Sequence, residues 1–277
     1  MKITDIQGTT QLHNGVEMPY LGLGVFETPD GQETINAIHW ALEAGYRHID
    51  TAYLYMNEKG VGEAVRTSGI AREKIFVTTK VWNSDQGYKK TLDAFYRSLD
   101  LLKFDYIDLY LIHWPVKEKY VETWDALQYL YEKKLVRAIG VSNFLEHHLN
   151  DILQNKGIAP MVNQVEFHPY VAQPKLLEYC RKNNIQFEAW APLMRGKADG
   201  IPVFIEIAKK YSKTPAQIVL RWDLQKGVVT IPKSSHKDRI IANAQLFDFE
   251  LSADDMQRID ALDRNERIGA HPDNFDF

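Results

Sequence analysis

The run Ile75-Phe76-Val77-Thr78-Thr79-Lys80 is followed, across a helix-spaced stretch at 87–101, by Ile107-Asp108-Leu109-Tyr110-Leu111-Ile112-His113. The outer runs are short and rich in β-branched and aromatic residues, whereas 87–101 carries good helix formers with apolar residues at helical spacing. Strand, helix and strand in this order make a unit whose strands lie parallel. The same reading extends in both directions. Short apolar runs stand at 21–25, 46–49, 137–141, 162–165, 185–189 and 228–231, and helical patterns at 32–44, 121–133 and 174–182. With 75–79 and 107–112 these make eight strand candidates in 277 residues. A TIM (β/α)8 barrel needs eight strands in about 250 residues, so it fits better than a doubly wound open sheet.

No Gly-x-Gly-x-x-Gly follows a strand. Gly22-Leu23-Gly24 lacks the third glycine and the helix start that would cradle a phosphate, which argues against a Rossmann domain and leaves close packing as its reading. Asn14-Gly15 between two short extended runs signals a tight hairpin, expected as a lid over one barrel end. A loop at 191–198 precedes two further helices at 202–211 and 215–225, the second with Thr214 as N-cap and Pro215 at the first helical position. Leu251-Ser252-Ala253-Asp254-Asp255 starts another helix near the C-terminus. The aperiodic tail 269–277 is expected to drape over the strand C-terminal ends, where barrel active sites lie. One domain, 1–277, is the simplest organisation.

A net charge of -4, with no dense Lys/Arg tract, gives no footprint for nucleic acid or an anionic membrane. The single cysteine, Cys180, has no internal partner, which fits a reducing, cytoplasmic setting. The stretch Met1-Lys2-Ile3-Thr4-Asp5-Ile6-Gln7-Gly8 lacks the apolar run of a signal peptide, and no segment reaches the apolar length of a membrane span.

Asp50, Tyr55, Lys80 and His113 each fall at or just beyond the end of a separate early strand. Singly they read as a helix cap, a packing aromatic, a snorkelling lysine and a core histidine. Together they make a proton donor with its support. A phenol titrates near pH 10 and gives up its proton reluctantly at neutral pH. Lys80 is expected to lower that value, Asp50 to hold the lysine, and His113 to donate to a substrate carbonyl oxygen as negative charge develops there.

In order and spacing these four residues resemble the catalytic tetrad of the aldo-keto reductase superfamily. The resemblance implies hydride from a nicotinamide, with Tyr55 completing the alcohol. Gly140-Val141-Ser142-Asn143-Phe144 and Met161-Val162-Asn163-Gln164-Val165-Glu166-Phe167-His168-Pro169 also resemble family signatures. They imply that Ser142, Asn143 and Gln164 hydrogen-bond the nicotinamide carboxamide, with Trp190 stacking on the ring and Leu193 in the same cofactor set. His168 reads as structural. In Ile231-Pro232-Lys233-Ser234-Ser235-His236-Lys237-Asp238-Arg239, Lys233, Ser234 and Arg239 are expected to clamp a 2′-phosphate, favouring NADPH over NADH, and Asn243 to contact adenine. Ala191 stands where relatives usually place serine, and Ala242 where a glutamate or glutamine often contacts the adenosine. Both departures imply a weaker cofactor grip.

Phe26, Tyr53, Leu54, Trp82 and Trp114 are expected to wall the substrate pocket. The short loop after Trp190 and the abbreviated tail imply an open pocket. Overall similarity is greatest to microbial methylglyoxal or glyoxal reductases and protozoal prostaglandin F synthase-like enzymes, with diketogluconate reductases more distant. Small reactive aldehydes are the expected substrates and a monomer the expected state. A non-catalytic nucleotide-binding barrel is the rival from another class, opposed by the complete tetrad. A metal-dependent hydrolase would need a close ligand pair, and His147-His148 is expected to point to different helix faces.

Overall fold

The structure, a computed structural model, describes residues 3–155 and 157–277. Met1 and Lys2, the first residues of the stretch read as unlike a signal peptide, lie outside the described residues. Strands β1 (Thr9–Gln11) and β2 (Glu17–Pro19) pair antiparallel, Thr10 opposite Met18. Thereafter strand and helix alternate: β3 (Leu23–Gly24), α1 (Gln32–Glu43), β4 (His48–Asp50), α2 (Glu58–Thr67), β5 (Phe76–Val81), α3 (Tyr88–Leu102), β6 (Ile107–Ile112), α4 (Tyr120–Glu132), β7 (Val136–Ser142), α5 (Glu146–Gln154), β8 (Val162–Glu166), α6 (Pro174–Lys182) and β9 (Gln186–Trp190). Helices α7 (Pro202–Tyr211) and α8 (Pro215–Gln225) precede β10 (Val229–Thr230), and α9 (Lys237–Asn243) and α10 (Ala253–Asp260) complete the chain.

Strands β3 to β10 neighbour one another in chain order, all parallel. Parallel bridges Leu21↔Thr230 and Gly24↔Lys233 join the last strand to the first, closing the barrel. β5 and β6 are buried at every position, which is why they read as unbroken apolar runs rather than alternating ones. The closing seam explains the two early glycines. A Cβ on Gly22 would lie 2.8 Å from His48 Nδ1, and one on Gly24 3.1 Å from the Ile231 carbonyl oxygen.

The hairpin turn is wider than a two-residue connection: Leu12 N donates to Val16 O at 2.9 Å and Gly15 N to Leu12 O at 2.8 Å. Asn14 Nδ2 donates to Arg137 O at 3.0 Å and Thr10 Oγ1 to Gln186 Oε1 at 3.0 Å, both near strand starts. The lid therefore covers the N-terminal mouth and leaves the opposite mouth open. Thr214 caps α8 with a reciprocal Gln217 contact, and Ser252 caps α10, each cap contributing about 1 kcal/mol. The segment after β9 is a 3-10 stretch, Met194–Gly200, kinked where Arg195 and Gly196 turn left-handed, rather than an irregular loop.

Candidate active site

Register brings the site residues to the C-terminal mouth. Asp50 pairs with Thr78, Lys80 with Leu111, Ser142 with Gln164 and Glu166 with Trp190. Asp50 and Tyr55 do not end separate strands: Asp50 closes β4, and just beyond it the chain forms a 3-10 turn, Tyr53–Tyr55, ended by Met56 in left-handed conformation. Asn57 pins that turn. Its Oδ1 accepts from Thr51 Oγ1 at 2.7 Å and its Nδ2 donates to Val25 O and Thr28 O at 2.9 and 3.0 Å.

Lys80 is wholly buried, yet all its company suits an ammonium. Nζ donates to Asp50 Oδ1 at 2.7 Å and to Thr51 O at 2.8 Å, and stands 5.0 Å from the Tyr55 ring centroid. Burial pulls its pKa down, but the neighbouring Asp50 and Tyr55 charges leave it above the ordinary value. Burial likewise raises the Asp50 carboxyl, with Lys80 and Gln164 pulling against it. Lowering of the Tyr55 phenol by Lys80 is not the net outcome: burial raises the phenol, and Lys80 opposes without overcoming it. His113 meets Tyr55 edge-on at 5.8 Å and Trp82 at 5.1 Å. Burial, then the Lys80 charge, holds this imidazole well below its ordinary value, so it is neutral. A neutral ring can still donate one N–H.

Asn143, left-handed at φ 63°, links three site elements. Its Nδ2 donates to His113 O at 2.9 Å and Ser142 Oγ at 3.2 Å, while its Oδ1 accepts from Trp190 Nε1 at 2.8 Å. The half-buried indole is thus held in place by a side chain expected to touch the cofactor itself. Gln164 Nε2 donates to Asp50 Oδ2 at 2.7 Å and to Glu188 Oε2 at 3.0 Å.

At the end of β10, Lys233 and Arg239 are exposed, while Ser234 is buried and its Oγ accepts from His236 N at 3.1 Å. Asn243 is buried at the end of α9, and Leu193 packs partly buried against the core. Ala191 takes a left-handed φ of 51°, and the Ala242 carbonyl accepts from Gln217 Nε2 at 2.9 Å.

Four of the expected wall residues gather around Tyr55 and His113. Phe26 packs 4.9 Å from Tyr55, Leu54 lies exposed next to Tyr55 in the chain, Trp82 lies 5.1 Å from His113, and Trp114 directly follows His113. Tyr53 is separate: the Arg97 guanidinium lies 5.2 Å over its ring. The tail does drape over this mouth and narrows the pocket expected to be open. Phe277 stacks on Trp82 at 5.9 Å and 6° and meets Trp114 at 5.2 Å, and Phe275 lies 5.1 Å from Trp114.

The Aldo/keto reductase family model matches residues 8–264. The chain belongs to the aldo-keto reductase family. It is 59% identical over 267 residues to the 9,11-endoperoxide prostaglandin H2 reductase of Trypanosoma cruzi (strain CL Brener), covering 95% of this chain and 94% of that protein. It is 56% identical over 274 residues to the glyoxal reductase of Bacillus subtilis (strain 168), covering 99% of each. Among solved structures, a mutant of Gox0644 in complex with NADPH superposes with a TM-score of 0.93 at 44% identity, covering the whole of both chains.

Three features of this aldo-keto reductase escaped the reading of its sequence. Glu188 lies in Ile185-Gln186-Phe187-Glu188-Ala189, whose alternation marks it as solvent-facing, yet it is wholly buried, so the sequence carried no signal for it. Phe275 and Phe277 sit in a segment with no period to read. His147 and His148 do not diverge: their Nε2 atoms lie 2.9 and 3.3 Å from Asp273 Oδ1, and their rings are 3.9 Å apart. The cause is local. His148 turns back so that Nδ1 accepts from Leu145 N at 3.2 Å, capping α5. That leaves the ring proton on Nε2, the form that donates to a carboxylate rather than binding a cation. The cluster thus anchors the tail.

Proposed function

We propose that the chain reduces aldehydes and ketones to alcohols with NADPH, with small reactive aldehydes such as methylglyoxal as substrates. The observation that carries this is the Lys80 ammonium, buried between Asp50, Thr51 and the Tyr55 ring at the C-terminal mouth of the barrel. The residues present suit a phosphorylated dinucleotide. The indole of Trp190 is held by Asn143 within the mouth, and the exposed cations Lys233 and Arg239, with Ser234, follow β10 as a 2′-phosphate clamp would require. Bound there, the dinucleotide supplies a hydride.

The side chains then handle the proton and the developing charge. Tyr55 gives its hydroxyl proton to the substrate oxygen. Lys80 stabilises the phenolate left behind, which matters the more because burial disfavours that anion. Neutral His113 donates a hydrogen bond to the same oxygen, and Asp50 keeps Lys80 charged and in place. Phe26, Leu54, Trp82 and Trp114 enclose a small carbonyl compound, with Phe275 and Phe277 closing one side. The T. cruzi relative makes reduction of a prostaglandin endoperoxide the second reading. We take the chain as one barrel domain acting as a monomer in the cytoplasm. No helix among the described residues is long and apolar enough to cross a membrane, and the lone Cys180 is buried.

The test follows NADPH absorbance with methylglyoxal, phenylglyoxal, a nitrobenzaldehyde and a prostaglandin endoperoxide, repeated with NADH. Oxidation of NADPH by any of the aldehydes, faster than of NADH, is expected. Tight NADPH binding with no turnover across the panel would make the chain a nucleotide-binding barrel without catalysis.

A further inference from the structure

We propose that Glu188 is a positioning residue that sets which way the Gln164 side-chain amide faces, turning its oxygen toward the barrel mouth as an acceptor for a primary carboxamide. The inference rests on the NADPH-dependent reading above. It adds a device by which the chain would distinguish a nicotinamide from a nicotinic acid.

The argument starts from the two hydrogens of one NH2 group. Gln164 Nε2 lies 2.7 Å from Asp50 Oδ2 and 3.0 Å from Glu188 Oε2, so both hydrogens are used. Asp50 is paired with Lys80 and can only accept, which forbids the amide oxygen from facing it. One contact alone leaves the amide free to pivot about that bond; Glu188 is the second fixed point. With both N–H groups turned inward, Oε1 has the opposite direction. A carboxamide NH2 can donate to it, whereas a carboxylate would be repelled.

Glu188 is an expensive way to fill a barrel layer, where branched apolar side chains are usual. It is wholly buried on β9, and its Oε1 has no hydrogen-bond partner, with His48 Nε2 standing 3.7 Å away. Burial first, then the Asp50 charge, push its carboxyl up to about 8. One lysine among two carboxyls balances only one negative charge, which favours the neutral acid at Glu188, while its Oε2 accepts from Gln164. A neutral acceptor of the same shape should replace it.

The test compares binding of NADP⁺, its nicotinic-acid analogue and 2′,5′-ADP, which lacks the nicotinamide end, to wild type, Glu188→Gln, Glu188→Leu and Gln164→Leu by calorimetry. Wild type should prefer NADP⁺ over the nicotinic-acid analogue by about tenfold or more, a scale set by one buried hydrogen bond kept or lost. Glu188→Leu should lose most of that preference while binding 2′,5′-ADP as wild type does, and Glu188→Gln should retain it. In a Gln164→Leu background, Glu188→Leu should change nothing further. Equal binding of the two dinucleotides by wild type, a parallel loss of 2′,5′-ADP in Glu188→Leu, or a Gln variant as poor as the Leu variant would overturn the assignment. The wild-type comparison stands even if the Leu variant does not fold. No binding of 2′,5′-ADP by wild type would instead remove the NADPH reading on which the inference rests.

Discussion

Lys80 Nζ lies 2.7 Å from Asp50 Oδ1, and solvent reaches neither the ammonium nor more than a few per cent of the carboxylate side chain. Breaking a buried pair leaves an uncompensated charge and costs about 3–5 kcal/mol. Asp50→Asn should therefore both destabilise the fold and slow turnover. Lys80→Met removes the positive charge beside Tyr55 and should lower kcat by about two to three orders of magnitude, the scale of a lost electrostatic stabiliser. Steady-state kinetics beside thermal melts would check this. A Lys80→Met enzyme with undiminished kcat would show that the ammonium only fills space.

Tyr55→Phe removes the proton and the hydroxyl's interaction with Lys80 but keeps the ring contacts with Phe26 and His113, which involve no hydroxyl. Carbonyl reduction should fall by about two to four orders of magnitude. NADPH binding, followed by tryptophan quenching, should stay near the wild-type value. Full activity in this variant would remove Tyr55 from the proton path.

Arg239→Ala should weaken NADPH binding about tenfold or more while barely touching NADH, since a guanidinium recognises a phosphate fork and not a ribose hydroxyl. Lys233→Ala should act in the same direction with a smaller, more salt-sensitive effect, as befits an exposed point charge. Equal weakening of both dinucleotides would count against a 2′-phosphate clamp.

The buried acid beneath the tetrad gives a stability signature of definite sign. Unfolded, Glu188 releases its proton near the ordinary value of 4.5; folded, only near 8. Between those values the folded chain holds the extra proton, so this group's contribution is fully present below about 4.5 and lost as pH rises through about 8. The slope is up to about 1.4 kcal/mol per pH unit. Glu188→Gln has no proton to lose. Its Tm relative to wild type should therefore climb across that window, and a constant difference would mean that Glu188 is ionised in the folded protein.

What the sequence made legible follows from what each residue depends on. The β5 and β6 runs are buried on both faces, so hydrophobicity alone marks them, and Lys80 and His113 stand at their ends by chain order, as Asp50 and Tyr55 do at the end of β4 and just beyond it. The protonation of Glu188 depends on the charge count of a closed barrel interior, to which β4, β5 and β9 each bring one group. The Tyr55 shift depends on a balance between burial and Lys80 that no spacing encodes. The His147 and His148 contacts require a partner from the far end of the chain and a cap that bends one ring back toward the other.

That last contact leads to a prediction about substrate range. Asp273 is held by two imidazoles on α5, and two and four residues later Phe275 and Phe277 lie against Trp114 and Trp82. The anchor therefore fixes the aromatic wall without touching the tetrad. Asp273→Ala should loosen the wall and raise KM for phenylglyoxal about two- to tenfold, the range expected from aromatic contacts of about 0.5–1.5 kcal/mol. Methylglyoxal has no ring to stack, so its KM and kcat should change little. Phe277→Ala should reproduce the pattern, because it removes the wall directly. Equal effects on both aldehydes would mean that the tail supports the barrel mouth as a whole, and no effect on either would mean that the wall holds without its anchor.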